Sequence, residues 1–496
     1  MAQVAEETPS PLWLACEEGD STKIAQILSE HKAVGDHAPE MSDIMEAFNQ
    51  GETPLFVCCR NGHLENAKLL EAFGASVRQP DYDGATPLYI ACAHGYLDVV
   101  TWLVEETSAY KDLLTPAYSN KETPYFAACA TNQHSIVAYL EEGRSQKDDK
   151  REITRMNNMG RTPIYEACNN GHSEMAHHLM ELGQQLMGPG YARHIVRSRD
   201  ADGATLLHAA ATNDNVELLD WLASLGAVDD IKSVDKRGFT PLFNACNYGR
   251  CLSVQWLLTH GAIETARKTD DRGWTPMFVA CMYGHVEVAK VLCSVGASRD
   301  VRTKTKTGMT PMLGACVAGS LKAAQWLFAT EDAAADISVV DCQGRTPMFV
   351  ASQFGHLDLA QWLFRSGAAG DIRRCNSRGQ TPIEAACQSK SFDVAFWHVV
   401  NGGASDIHGN MNAESVGTAL GASNNGLFLL VSQAAAANRA AFPCRFLPKG
   451  TTQQNAPWYL VRCNEKALVR LILDFAGVLY DRKARRVFEA RALFAI

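Results

Sequence analysis

The sequence predicts an all-α repeat solenoid, in which stacked helical pairs share one continuous core, with a small helical region at the C-terminus. Three observations support this fold class. The chain has 496 residues, whereas a single hydrophobic core stops growing near roughly 250 to 300 residues. A Thr-Pro motif recurs along most of the chain. Hydrophobic residues make up 46% of the chain and charged residues 20%, which indicates that it is folded nearly throughout.

The motif consists of Thr, Pro, an apolar residue and usually an aromatic one, as in TPLFVCCRNGH from Thr53 and TPMFVACMYGH from Thr275. Ser10 opens a weaker copy and Gly417 a degenerate one, which makes about twelve units. The other copies begin at Thr86, Thr123, Thr162, Thr205, Thr240, Thr310, Thr346 and Thr381. Successive Thr positions from 53 to 381 lie 33, 37, 39, 43, 35, 35, 35, 36 and 35 residues apart.

Each motif position predicts a local structure. The Thr hydroxyl suits a helix N-cap, and Pro fits the first helical position because no N–H is needed there. Glycine nine residues after the cap, such as Gly284, suits the left-handed turn that ends a short helix. Asn132 and Asp214 are expected to replace it, whereas Lys390 is not, so the unit from Thr381 is predicted to be distorted. A second helical run follows, and then an extended loop reaches the next cap.

This motif and its period resemble the ankyrin-repeat family over residues 10–431. The resemblance implies an ankyrin-repeat solenoid with a helix–turn–helix and a hairpin loop per repeat. It also implies a non-catalytic protein–protein interaction scaffold, which binds other proteins along its concave face through the loops and first helices. The predicted divisions are an N-terminal capping repeat and insertion (1–52), the array (53–416), a degenerate terminal repeat (417–431) and a C-terminal helical cap or docking segment (432–496).

Cysteine, tryptophan and histidine recur at fixed positions, which favours packing over metal or cofactor binding. The cysteines six residues after a cap are expected to be small buried residues, and no Cys-x-x-Cys pair of zinc-site spacing is present. They are Cys16, Cys59, Cys92, Cys129, Cys168, Cys246, Cys281, Cys316 and Cys387. Tryptophans sixteen residues after a cap are expected to be buried in the second helix: Trp102, Trp221, Trp256, Trp326, Trp362 and Trp397. Histidines just after the turn are expected to form local hydrogen bonds: His63, His172, His285 and His356.

Two loops before Thr-Pro motifs are basic. One carries Arg299, Arg302, Lys304 and Lys306 against Asp300, and the other carries Arg373, Arg374 and Arg378 against Asp371. The sharper hypothesis is that an acidic peptide engages the 299–306 loop, with Trp274 as an aromatic anchor. The alternative is an ordinary solvated surface.

Longer intervals add residues around 30–50, 111–121, 144–160 and 184–202. Insertions in repeat proteins map to loops on one face, which is often the binding face. Growth of a tolerant surface explains them equally well.

Composition and motifs disfavour several other functions. The net charge of −9 disfavours binding to nucleic acid or anionic membrane. No phosphate-binding loop, dinucleotide fingerprint, HExxH or GxSxG motif occurs, so neither catalysis nor a small-molecule substrate is predicted. The N-terminus lacks an apolar signal segment and the most apolar stretches contain polar residues, which predicts a cytoplasmic chain without a membrane span. The DRKARR run from Asp481 leaves nuclear import as an alternative.

The C-terminal segment has helical apolar spacing, with Leu468, Leu471, Ile472 and Phe475 followed by a basic second helix. Its simplest role is to cap the last repeat, because a solenoid needs a polar-faced terminal unit. The alternative is that residues 465–476 dock a ubiquitin ligase, for which the array would act as the substrate-recognition adaptor.

Overall fold

Paired helices form the repeats, which are named here by their cap residues. The computed structural model describes residues 9–33, 47–48, 50–142, 146–330 and 334–401. The first helices are Pro11–Glu18, Pro54–Asn61, Pro87–His94, Pro124–Ala130, Pro163–Asn169, Leu206–Ala210, Pro241–Asn247, Pro276–Met282, Pro311–Ala318, Pro347–Gln353 and Pro382–Gln388. The second helices are Ser21–Ala33, Leu64–Ala72, Leu97–Glu105, His134–Glu142, Ser173–Met187, Val216–Ser224, Cys251–Thr259, Val286–Leu292, Leu321–Ala329, Leu357–Arg365 and Phe392–Val400.

The predicted caps start the first helices. In the Thr275 repeat, the Thr275 hydroxyl accepts the backbone N–H of Phe278 at 3.1 Å, which satisfies one of the donors that a helix start leaves unpaired. The same bond forms at Ser10, Thr53, Thr86, Thr123, Thr240, Thr310, Thr346 and Thr381. Thr162 makes no such bond. In the Thr205 repeat the backbone N–H of Thr205 instead donates to Nδ1 of the buried His208 at 3.2 Å.

The turns between paired helices confirm most of the glycine predictions and correct two others. Gly284 has a φ of 82°, and Asn132 adopts the same left-handed conformation with a φ of 66°. The predicted distortion at Lys390 is wrong, because Lys390 also turns left-handed, with a φ of 61°. Asp214 does not replace glycine in this way, since its φ is not positive. Its carboxylate instead accepts the backbone N–H groups of Leu252 and Ser253, at the start of the next repeat's second helix.

The core runs along the first helices. The chain divides into two compact units, Met1–Thr265 and Ala266–Ile496, and within each unit the first helix of one described repeat packs against that of the next. The aromatic residue three positions after the cap is fully buried in five repeats, as Phe56, Phe126, Phe243, Phe278 and Phe349. All nine periodic cysteines are also buried, which confirms that they pack as small apolar residues.

The tryptophans and histidines contact neighbouring repeats more than the sequence predicted. Only Trp102 and Trp256 of the six periodic tryptophans are buried, and the others are half-buried. Trp362 packs edge-on against Phe328 of the preceding repeat, with ring centroids 5.6 Å apart. His356 was predicted to bond locally, but its Nε2 lies 3.0 Å from the Val317 carbonyl oxygen, also in the preceding repeat. These side chains therefore join one repeat to the next.

Two of the insertions fold as helices, which corrects the prediction of loops. Helix Gln146–Ile153 lies in the 144–160 insertion and helix Gly190–Val196 in the 184–202 insertion. The buried Glu152 accepts hydrogen bonds from the Thr123 hydroxyl and from Arg155. These segments therefore contribute to the packing of the first unit.

The loops that follow the second helices begin with a short 3-10 helix in several repeats and are not extended from the start. These 3-10 helices are Ser108–Asp112, Ala227–Asp230, Ala262–Thr265, Ser298–Arg302, Ala334–Ser338 and Ala368–Arg373. In the part of the chain that the structure describes, no helix combines the length and apolarity needed to cross a bilayer. The predicted degenerate repeat 417–431, the C-terminal helices of 432–496, the docking segment 465–476 and the DRKARR run all lie outside the described residues.

Candidate binding surface

Several of the described loops before a cap are tight turns built around one polar side chain. In the loop of the Thr275 repeat, Oδ1 of Asp270 accepts the backbone N–H groups of Arg272 at 2.9 Å and Trp274 at 2.7 Å. Asp235 and Asn376 make the same pair of bonds in their own loops. Short polar side chains favour such turns because they substitute for a backbone acceptor. The turns hold the residues at the loop tips in fixed positions.

Neighbouring tips are joined through the backbone. In the second unit, the N–H of Lys306 donates to the Arg272 carbonyl at 3.1 Å, and the N–H of Ser377 donates to the Gln343 carbonyl at 2.8 Å. Between them, the N–H of Cys342 donates to the Thr307 carbonyl at 3.0 Å. The tips of consecutive repeats thus form an ordered row.

Beneath the tips, arginines of one loop pair with buried aspartates of the next. Nη2 of Arg267 lies 3.0 Å from Oδ1 of Asp300, and Nε of Arg302 lies 3.1 Å from Oδ1 of Asp336. Both aspartates are 1% exposed. Burial raises the pKa of Asp336, and the Arg302 guanidinium opposes that rise. Because the aspartates lie inside, the surface of these loops presents the cations.

The four basic residues predicted in the 299–306 loop are all exposed, but they differ in their contacts. Arg302 bridges to Asp336 of the next repeat. Lys306 lies at the tip, where its ammonium donates to the carbonyl of Asp271 in the preceding loop. Arg299 and Lys304 point from the 3-10 helix and the turn that follows it, and both side chains are exposed. The loop therefore presents four exposed cations, of which Arg302 and Lys306 contact neighbouring loops.

Trp274 is half-buried at the base of the neighbouring loop. The guanidinium carbon of Arg272 lies 3.6 Å from the centroid of its ring. The ring of Phe278 packs against it with centroids 4.9 Å apart. Since the backbone of Arg272 also bonds to Lys306, the structure brings Trp274 and the predicted basic loop to one region.

The second basic loop lies two repeats further along the chain. Arg373 and Arg374 are both exposed. Nη1 of Arg374 donates to the Ser338 carbonyl at 3.2 Å and to Asp371 of its own loop at 3.4 Å. Serine stands at 338, where the neighbouring repeats carry Arg302 and Arg373, so Asp371 has no arginine at that position of the preceding repeat.

Sequence reasoning treated Asp300 and Asp371 as surface charges that offset the arginines, whereas both are buried. A signal for this was present. Aspartate stands ten residues before the cap in the repeats of Thr310, Thr346 and Thr381, and arginine stands eight before it in those of Thr275 and Thr310. A periodic acid two residues from a periodic base indicates an ion pair between repeats. Among the described residues, no group of three or more His, Cys, Asp or Glu side chains is placed to hold a metal ion.

Stacked helix pairs with hydrogen-bonded loop tips define a class of protein, the all-α repeat solenoid. The family model for ankyrin repeats in three copies matches residues 12–114, 107–189, 183–268, 262–341 and 332–397. Because these matches cover most of the chain, it belongs to the ankyrin-repeat family. Ankyrin repeats are in general protein–protein interaction modules, and proteins built from them are typically not enzymes. No curated protein sequence matches the chain significantly.

Proposed function

We propose that this chain is a non-catalytic scaffold that binds partner proteins along the concave face of its ankyrin-repeat array. The loop tips and first helices would form the contact surface. Family membership supports the general role, and the ordered row of tips supports the choice of surface, because a rigid surface loses little entropy on binding.

Within that surface, we infer that the 299–306 loop and Trp274 bind an acidic segment of a partner. The observation that carries this proposal is the separation of charge, with exposed Arg299, Lys304 and Lys306 above the buried Asp300. Charge complementarity contributes to specificity and to the rate of association, and a tryptophan beside it supplies apolar contact. Arg373 and Arg374 would extend the site toward longer acidic segments.

The proposal can be tested by selecting, from a phage-displayed library of 16-residue peptides, those that bind the immobilised full chain. We expect selected peptides to be enriched in Asp and Glu around an aromatic residue. The double variant Arg299→Glu/Lys304→Glu should weaken their binding at least about tenfold, as measured by fluorescence anisotropy. Arg302 is a poorer target, because its reversal would also break the pair with Asp336.

The matched control is Lys290→Glu/Lys322→Glu, which reverses two exposed lysines on second helices of the same unit. It should leave the affinity unchanged. Equal binding of the acidic peptides to the wild type and to Arg299→Glu/Lys304→Glu would show that the basic loop is not the site. Failure to select any peptide with the full chain would contradict the scaffold role itself.

A further inference from the structure

Two tyrosines on consecutive loop tips of the first unit are largely exposed. Tyr82 is 79% exposed and Tyr118 is 76% exposed. Each ring lies against a glycine of the preceding loop: a Cβ on Gly51 would lie 2.6 Å from Cδ1 of Tyr82, and one on Gly84 would lie 2.5 Å from Cδ2 of Tyr118. Tyrosine has few rotatable bonds, so it gives up little conformational freedom when a partner covers it.

The exposed apolar surface continues into the next loop. The backbone N–H of Asn158 bonds to the Asn120 carbonyl at 2.8 Å, which places the following tip beside that of Tyr118. Met156 and Met159, in that following loop, are 53% and 47% exposed. We call these four residues, Tyr82, Tyr118, Met156 and Met159, the tip stripe.

The fold does not require apolar residues at these tips. The backbone N–H of Tyr82 donates to the Gln50 carbonyl at 2.8 Å, and in the next loop Ser119, beside Tyr118, donates to the Asp83 carbonyl at 3.0 Å. In the second unit, the tip residues Lys306, Cys342 and Ser377 form the same backbone hydrogen bond to the preceding loop. All three side chains are smaller or more polar than tyrosine, so the bond between tips is independent of the side chain. Contiguous exposed apolar groups that folding does not need are typical of interaction sites.

Three half-buried or buried carboxylates lie beside the tip stripe. Glu122 accepts hydrogen bonds from the amide groups of Asn157 and Asn120, each at 2.9 Å. The backbone and side chain of Asn157 connect this carboxylate to the loop of Met156 and Met159. Glu122 therefore receives neutral donors at both oxygens, and neither donor cancels its charge.

The next two carboxylates share one cation. Nη1 of Arg161 lies 3.2 Å from Oε1 of Glu166, and Nε of Arg161 lies 3.1 Å from Oδ2 of Asp200. Together with Glu122, they make three carboxylates in one hydrogen-bonded network with a single guanidinium. Burial raises the pKa of Glu122 and the charge of Glu166 raises it further, while hydrogen bonds from Asn157 and Tyr89 and the charge of Arg161 lower it. A second cation entering this region would be favourable, because it would offset the excess negative charge.

We propose that the tip stripe, with Glu122, Glu166 and Asp200 beside it, binds a basic segment of a partner protein in which Lys or Arg alternates with apolar residues. This inference rests on the proposed scaffold function and assigns to the first unit a charge preference opposite to that of the 299–306 loop. Apolar residues of the segment cover the tip stripe, and its cations lie over the half-buried Glu122 and Glu166. Asp200 is buried and contributes only its charge from below. Two surfaces of opposite charge would let one chain hold two unlike partners.

The test uses two fluorescein-labelled 15-residue peptides with the full chain. The basic probe alternates Lys with Leu and Phe, and the acidic probe has Glu in place of every Lys. We expect the basic probe to bind, with an affinity that falls as salt is raised. The variant Tyr82→Ser/Tyr118→Ser should weaken its binding about tenfold or more, and Glu166→Gln should weaken the salt dependence.

The matched control, Tyr110→Ser/Tyr283→Ser, removes two other exposed tyrosines and should leave the binding of the basic probe unchanged. Circular dichroism melts establish that each variant is folded. Unchanged binding of the basic probe to Tyr82→Ser/Tyr118→Ser would overturn the inference. Binding of the acidic probe alone, lost in Arg299→Glu/Lys304→Glu, would overturn it while supporting the proposed function. Binding of neither probe would contradict both.

Discussion

His398 lies in the interior of the last described repeat and should make that repeat sensitive to acid. Its side chain is fully buried, Nε2 lies 2.6 Å from the Ser352 hydroxyl, and Nδ1 has no hydrogen-bond partner. Burial lowers the pKa of His398 to about 4, compared with about 6.5 for a free histidine. The folded state therefore binds this proton less readily than the unfolded state.

The sign and size of the effect follow from this difference. Stability is fully present above the unfolded pKa, and it is lost as the pH falls from about 6.5 toward 4. A difference of ~2.5 in pKa corresponds to about 3 kcal/mol once the pH is below both values. Between pH 7 and pH 4.5 the repeat should lose about 2 kcal/mol of its free energy of local unfolding.

Native-state hydrogen exchange of the amides in residues 382–400, measured at several pH values, gives this local free energy. The variant His398→Phe removes the titrating group and fills the same space, while the Ser352 hydroxyl keeps its bond to the Met348 carbonyl. We expect the loss between pH 7 and 4.5 to be about 2 kcal/mol smaller in the variant. The control His94→Asn changes an exposed histidine of the first unit. Identical pH dependence of wild type and His398→Phe would refute the reasoning.

Three other outcomes are expected. Lys390→Gly should stabilise the chain by about 1 kcal/mol in urea unfolding, because Lys390 has a φ of 61°. A double-mutant cycle of Arg302→Gln and Asp336→Asn should give a coupling of at most about 1 kcal/mol, since Arg302 is 51% exposed. Among the described cysteines, iodoacetamide should modify the exposed Cys342 and Cys375 well before the nine periodic ones, which mass spectrometry would show.

Each of these outcomes has a result that would contradict it. A Lys390→Gly variant no more stable than the wild type would mean that the turn is unstrained. For the double-mutant cycle, the exposed pair Lys290 and Glu287 serves as the control, and an Arg302–Asp336 coupling well above about 1 kcal/mol would show that the exposure of Arg302 does not weaken the pair. Early modification of Cys281, whose thiol pKa is raised by burial, would argue against a closed core.

The sequence was sufficient to predict the repeat because each capped helix depends on residues close together in the chain. The Thr275 cap, the Gly284 turn and the buried Cys281 all follow from one short motif. The left-handed Lys390 was missed because the stacked repeat imposes the turn, and packing overrides the local preference of a single residue.

The candidate site was less predictable, because contacts between repeats determine which of its charged side chains are buried and which are exposed. Asp300 and Arg299 are adjacent in sequence, yet one is buried and the other is exposed. Arg267 in the preceding loop pairs with the buried Asp300 and balances its charge. Tyr82 and Tyr118 carry no motif of their own, and only the structure shows that their rings lie against glycines of the preceding loops.

The pairing of Arg267 with Asp300 and of Arg302 with Asp336 makes the array tolerant of in-frame duplication. A duplicated module of residues 275–309 contains both Asp300, which pairs with the arginine of the preceding loop, and Arg302, which pairs with the aspartate of the following loop. Its 35 residues match the local step between caps. Lengthening or shortening the array by one whole module would therefore require no new ion pair.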